Sequence, residues 1–134
     1  MNMKLNANEV RIGNYVTIGD GPFQISAKDI KFMAEVDEHI YQAIPLNDAW
    51  LTDFKLTKKE LDAYDNMWCL DLFTIFSDNY NEEHYYTYGL LTRLNNPNVC
   101  HSHSGLIVKY VHQLQNLFFA TNYEELERTN EYGV

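Results

Sequence analysis

The sequence predicts an α+β fold: an antiparallel sheet, SH3-like or partly rolled, with two short helices mid-chain and one C-terminal helix. Three observations point there. Short runs of alternating, β-branched or aromatic residues recur between turn signals. Two helix-start patterns lie side by side near the middle, at Asn47 and Thr57. One apolar stripe at helical spacing, Val111, Leu114, Leu117 and Phe118, comes last. Strands joined by short turns and followed by a packing helix make an antiparallel α+β domain. The chain has 134 residues, a length that fits a single domain over 1–134 with one core.

Taken in order, Val10–Ile18 reads as a strand with Val10, Ile12, Val16 and Ile18 on one face, bent or bulged at Gly13-Asn14. Gly19-Asp20-Gly21-Pro22 is a turn, because its glycines accept positive φ. Phe23–Ala27 alternates as a second strand, Asp29–Glu38 is ambiguous, and His39–Ile44 reads as a third strand. Asn47 is the expected N-cap of a helix over Asp48–Phe54. Thr57-Lys58-Lys59-Glu60 fits a capping box, which predicts a second helix over Lys58–Asp65. Met67–Phe76 reads as one strand, Ser77–Glu83 as a polar loop, and His84–Leu94 as the antiparallel partner. After a turn at Asn95–Asn98, Val99–Lys109 is a strand interrupted near Gly105. A helix over Val111–Thr121 closes the order, with His112 off its stripe and therefore expected at the surface. Trp50, Leu114 and Phe118 are expected in the core beside Ile12 and Val16.

Composition excludes several classes. Ten Tyr, seven Phe and two Trp argue against wholesale disorder. No run approaches the length of a membrane span, and Met1–Asn6 lacks the apolar core of a signal peptide. Two cysteines, Cys69 and Cys100, are too few for a disulfide scaffold, so a reducing cytoplasm is the expected location. Ten Lys/Arg against nineteen Asp/Glu give a formal charge of −9, which repels nucleic acid phosphates.

No catalytic signature is present. Cys100-His101-Ser102-His103, with His84 and Cys69 on neighbouring expected strands, is the sharpest candidate for metal ligation. Strand alternation turns Cys100 away from both histidines, and neither CxxC nor HExxH spacing occurs, so no metal and no cofactor is assigned. Nucleophile elbows and phosphate-binding loops are missing as well, and the chain is expected not to be an enzyme.

Charge distribution is more informative. From Glu60 to Thr92 there is no Lys or Arg, whereas Glu60, Asp62, Asp65, Asp71, Asp78, Glu82 and Glu83 fall within the stretch. The same stretch carries Tyr64, Trp68, Tyr80, Tyr85, Tyr86 and Tyr88. Tyrosine offers rigid amphipathic contact area, and spaced acids offer a basic partner what phosphates would offer it. The expected partner-binding residues are accordingly Asp62, Asp65, Asp71, Asp78, Tyr80, Glu82, Glu83, Tyr85, Tyr86 and Tyr88.

Val10–Val16, Ile44–Leu51 and Lys109–Ala120 together resemble a family of small uncharacterised proteins of bacteriophages and integrated mobile elements. The chain departs from the family at Thr121-Asn122-Tyr123, where a Thr-Gly pair is usual, and Asn122 is expected to take the left-handed cap position of that glycine. The resemblance implies a shared scaffold with a member-specific surface between Glu60 and Leu94, and it transfers no catalytic residue. Together these readings suggest a non-catalytic inhibitor of a host nucleic-acid-dependent defence enzyme, with an anti-CRISPR protein acting on an RNA-guided effector as the concrete case. Its partner would be a host protein with a basic nucleic-acid-binding surface, not a membrane and not nucleic acid itself. One alternative is a self-associating structural or accessory phage protein. Another is a small nucleic-acid-binding barrel using Lys28, Lys31, Lys55, Lys58 and Lys59.

Overall fold

A computed structural model describes residues 4–60, 65–78, 85–92 and 100–129. The chain is α+β, with two antiparallel sheets and three helices. It divides into two compact units, one of Met1–Leu46 with Tyr110–Leu126, the other of Asn47–Lys109 with Glu127–Val134.

In the first unit the expected long strand breaks into a turn and a short strand. Asn14 Oδ1 accepts from the Arg11 backbone N–H at 2.7 Å, and Gly13 sits at φ 94°, so the chain folds back over 11–14. Ile12 is consequently 61% exposed, contrary to its expected place in the core. Strand β1 covers only Tyr15–Thr17 and pairs with β2, Pro22–Gln24, across the glycine turn read from the sequence. The ambiguous stretch is helix α1, Ala27–Glu35, opened by a Ser26–Asp29 capping box. The expected third strand is reduced to isolated bridges of Gln42 with Lys4 and Thr17. Leu5, Val16, Ile25, Met33 and Ala43 form the core around these segments.

Helix α3, Val111–Asn122, lies beside β1. It buries Leu114 and Phe118 as expected, but His112 and Gln115 are buried too, at 2% and 1% exposure. The buried arc is wider than the apolar stripe, and on it Gln115 meets a backbone group: its Oε1 accepts from Tyr15 N–H at 2.7 Å. The left-handed C-cap is Tyr123, φ 59°, not Asn122. Asn122 stays helical while its side-chain amide donates to the Phe118 carbonyl at 3.2 Å.

The second unit is a five-stranded meander in the order β3-β4-β5-β6-β7. It opens with helix α2, Asp48–Asp53, capped by Asn47 Oδ1 accepting from Trp50 N–H at 3.0 Å, as the sequence predicts. Trp50 is half-buried beside Phe54, with the Arg128 guanidinium 4.7 Å from its ring centroid. The expected second helix is overturned: Thr57–Glu60 is strand β3. Lys55 at φ 73° ends the helical course, and a capping preference of about 1 kcal/mol loses to a ladder with β4 running Thr57↔Cys69 to Glu60↔Asn66. The expected single strand over Met67–Phe76 is a hairpin, β4 (Asp65–Leu70) and β5 (Phe73–Asp78), turned at Asp71, φ 53°, and Leu72. An aspartate tolerates that left-handed conformation better than most residues.

Strands β6, Tyr85–Thr92, and β7, Cys100–Ile107, complete the sheet. Their register slips between Thr87↔Ile107 and Gly89↔His103, which places a bulge around Gly105 where the sequence suggested an interruption. Gly89 is required by packing: a Cβ there would lie 2.6 Å from the Phe76 ring. The remaining turn at Asn95–Asn98 lies outside the described residues.

Candidate functional site

The acidic, aromatic stretch is three consecutive strands of the second unit, β4, β5 and β6, with the segments that join them. The middle of this surface belongs to the core. Phe73, Thr74, Ile75, Phe76 and Ser77 of β5 are all at or below 5% exposure. Within β5, therefore, none of residues 73–77 is open to a partner.

Register distributes the ten expected binding residues unevenly. Asp65 opens β4 directly opposite Asp78, which closes β5, and Asp78 is opposite Tyr85, which opens β6. On the other side of β4, Glu60 is the exposed last residue of β3, opposite Asn66. One end of the sheet thus gathers Glu60, Asp65, Asp78 and Tyr85. The segments that enter and leave this end, 61–64 and 79–84, carry Asp62, Tyr80, Glu82 and Glu83, which lie outside the described residues. Asp71 is at the opposite end, in the β4–β5 turn, next to a Leu72 that is 69% exposed.

Tyr86 departs from the expectation. It is 4% exposed, and its hydroxyl donates to Asp48 Oδ1 of α2 at 2.6 Å. Burial first, then the hydrogen bond to Asp48, push its phenol well above the ordinary value. Tyr86 ties α2 to the sheet, so its ring is core and not contact surface. Tyr88 is half-buried with its ring centroid 5.6 Å from that of Phe73. Alternation along β6 would have shown that Tyr86 and Tyr88 share a face, but the α2 carboxylate that selects that face for burial is 38 residues away in sequence.

The lysines of the nucleic-acid-binding alternative are divided between the units. Lys28 and Lys31 are on α1 of the first, and Lys55, Lys58 and Lys59 belong to the second. Among the described residues no three His, Cys, Asp or Glu side chains form a group suited to a metal ion. His84 and the side chains of Cys100, His101 and His103 lie outside that description, while Cys69 Sγ is 3.8 Å from the Thr74 hydroxyl. No helix among the described residues is long and apolar enough to cross a membrane.

With this geometry in hand, neither a family model nor a curated protein nor a solved structure matches the chain.

Proposed function

We propose that this is a non-catalytic binding protein of a phage or mobile element that inhibits a host RNA-guided defence effector. The acidic end of its five-stranded sheet would dock on the effector's basic nucleic-acid channel. The observation that supports this reading best is the opposition of Asp65 and Asp78 in register, with Glu60 one strand further out. Like charges directly opposite one another weaken a strand pair. The surrounding stretch from Glu60 to Thr92 contains no Lys or Arg, so this end of the sheet concentrates acids in the sequence that a cationic partner would neutralise. Acidic surfaces of this kind accelerate encounter and fix register on basic channels.

The test is co-purification with a panel of RNA-guided effectors at low and raised salt, followed by nucleic acid cleavage assays with any effector retained. Salt-sensitive retention with loss of cleavage supports the reading. Retention that ignores salt removes its electrostatic part.

Self-association is the second reading, and it rests on a contrast between the sheet's two edges. Strand β3 is four residues long and carries Lys58 and Lys59, devices that discourage edge pairing. Strand β7 is eight residues long and contains no Lys, Arg, Asp or Glu, and among the described residues no strand pairs with its outer edge. Sedimentation over a concentration series separates the two readings, since a monomer at every concentration eliminates the second.

A further inference from the structure

We propose that His112 is an acid-sensitive release at the seat of α3, and that proton uptake there loosens the grip of α3 on the segment from Glu9 to Tyr15. The grip itself is made by amides. Gln115 accepts from Tyr15 N–H at 2.7 Å and donates to the Gly13 carbonyl at 3.2 Å. Asn116 donates to the Glu9 carbonyl at 3.3 Å and accepts from Arg11 Nε at 3.0 Å and from Asn14 Nδ2 at 2.8 Å. None of these amide side chains titrates.

His112 is the titratable member of the same buried face. It is the second residue of α3, 2% exposed, with its ring stacked on Tyr110 at 5.9 Å between centroids. Its Nδ1 is buried and, among the described residues, has no hydrogen-bond partner. In the charged ring both nitrogens are donors, so protonation would leave a buried N–H without an acceptor. The positive end of the helix dipole opposes the same charge. Burial accordingly holds the imidazole below its ordinary 6.5, against the opposing pull of Glu9 from the Ala7–Glu9 turn. On the Glu9–Tyr15 segment the other charge, Arg11, is paired with Glu125 at 2.7 Å. The segment 40–46, which accepts from Val111 N–H through Ile44, carries no charged residue.

The sign follows from proton counting. The unfolded or opened chain takes up a proton at His112 around its ordinary 6.5, and the closed form does so only at lower pH. Closure is therefore fully favoured above pH 6.5 and weakens as pH falls through it.

The experiment is amide hydrogen exchange of the full chain between about pH 7.5 and about pH 5.5, the histidine window, together with NMR titration of the His112 ring. The Tyr15 amide reports the seat directly. Its opening, corrected for intrinsic exchange, should rise by up to about tenfold per pH unit lost, with the His112 ring remaining neutral while the closed form persists. In His112→Phe that rise should vanish. A ring that titrates at or above its ordinary value, an opening unchanged by pH, or a rise that persists in His112→Phe would each overturn the proposal. Should His112→Phe not fold, the wild-type titration and exchange decide alone.

Discussion

The two units of this chain reach stability by different means. The second is a meander in which every strand pairs with its neighbour in sequence, and its order is set by local hairpins. The first brings together segments that lie far apart, through side-chain amides whose bonds span 100 to 107 residues. A ladder of backbone bonds tolerates much side-chain change, whereas a grip of a few amides does not. That contrast sets exacting polar contacts in the first unit against the acidic end of the sheet in the second, which the proposed function takes as the working surface.

The largest expected losses are at packed aromatic rings and should be similar in both units. Phe54→Ala, at a fully buried side chain in the second, and Phe118→Ala, at 6% exposure in the first, should each cost about 3–5 kcal/mol in urea melts. A much smaller cost at Phe118 would mean that amides, and not apolar burial, carry α3. Tyr86→Phe comes next, at about 1.5–3 kcal/mol, because its hydroxyl bonds a carboxylate. This loss has a pH signature. The unfolded phenol ionises near its ordinary 10.0 while the folded one keeps its proton. The advantage of wild type over Tyr86→Phe is therefore complete below pH 10 and fades as pH rises above it.

Gln115→Ala sharpens the contrast most. It removes the side-chain acceptor of the Tyr15 N–H and one of two side-chain donors to the Gly13 carbonyl, which keeps Gln24 Nε2, for about 1–3 kcal/mol. The destabilisation should come with faster exchange at the Tyr15 amide. A neutral result by thermal melt would contradict the view that side-chain amides hold the first unit. Leu72→Ser and Asp71→Asn, at the exposed β4–β5 turn, should stay within about 0.5 kcal/mol of wild type.

What was legible in the sequence divides along the same line. The Asn47 cap, the glycine turn after Ile18, the interruption at Gly105 and the final helix are local signals, and each appears in the structure. Thr57–Glu60 misled because a capping-box pattern is satisfied equally by residues that an adjacent strand recruits. The hairpin at Asp71-Leu72 was hidden because its turn lacks the glycine or asparagine that usually announces one. His112 was expected at the surface by helical periodicity, and the buried arc that includes it also takes in Gln115, whose partners are backbone groups at Gly13 and Tyr15 a hundred residues upstream. Of the acidic site, the charge asymmetry was plain in the sequence. The opposition of Asp65 and Asp78 was not, because it needs the register of a hairpin that periodicity did not reveal.

The most direct measurement compares wild type with an Asp65→Lys, Asp78→Lys double variant, each titrated against an RNA-guided effector retained by the wild-type protein, at low and raised salt. Asp65 opens β4 and Asp78 closes β5, and at these strand ends the variant is expected to keep the wild-type melting profile. The account expects its affinity to fall by at least about tenfold at low salt and to lose most of its salt dependence. Wild-type affinity and salt dependence in a correctly folded double variant would contradict the assignment of the acidic rim as the working surface.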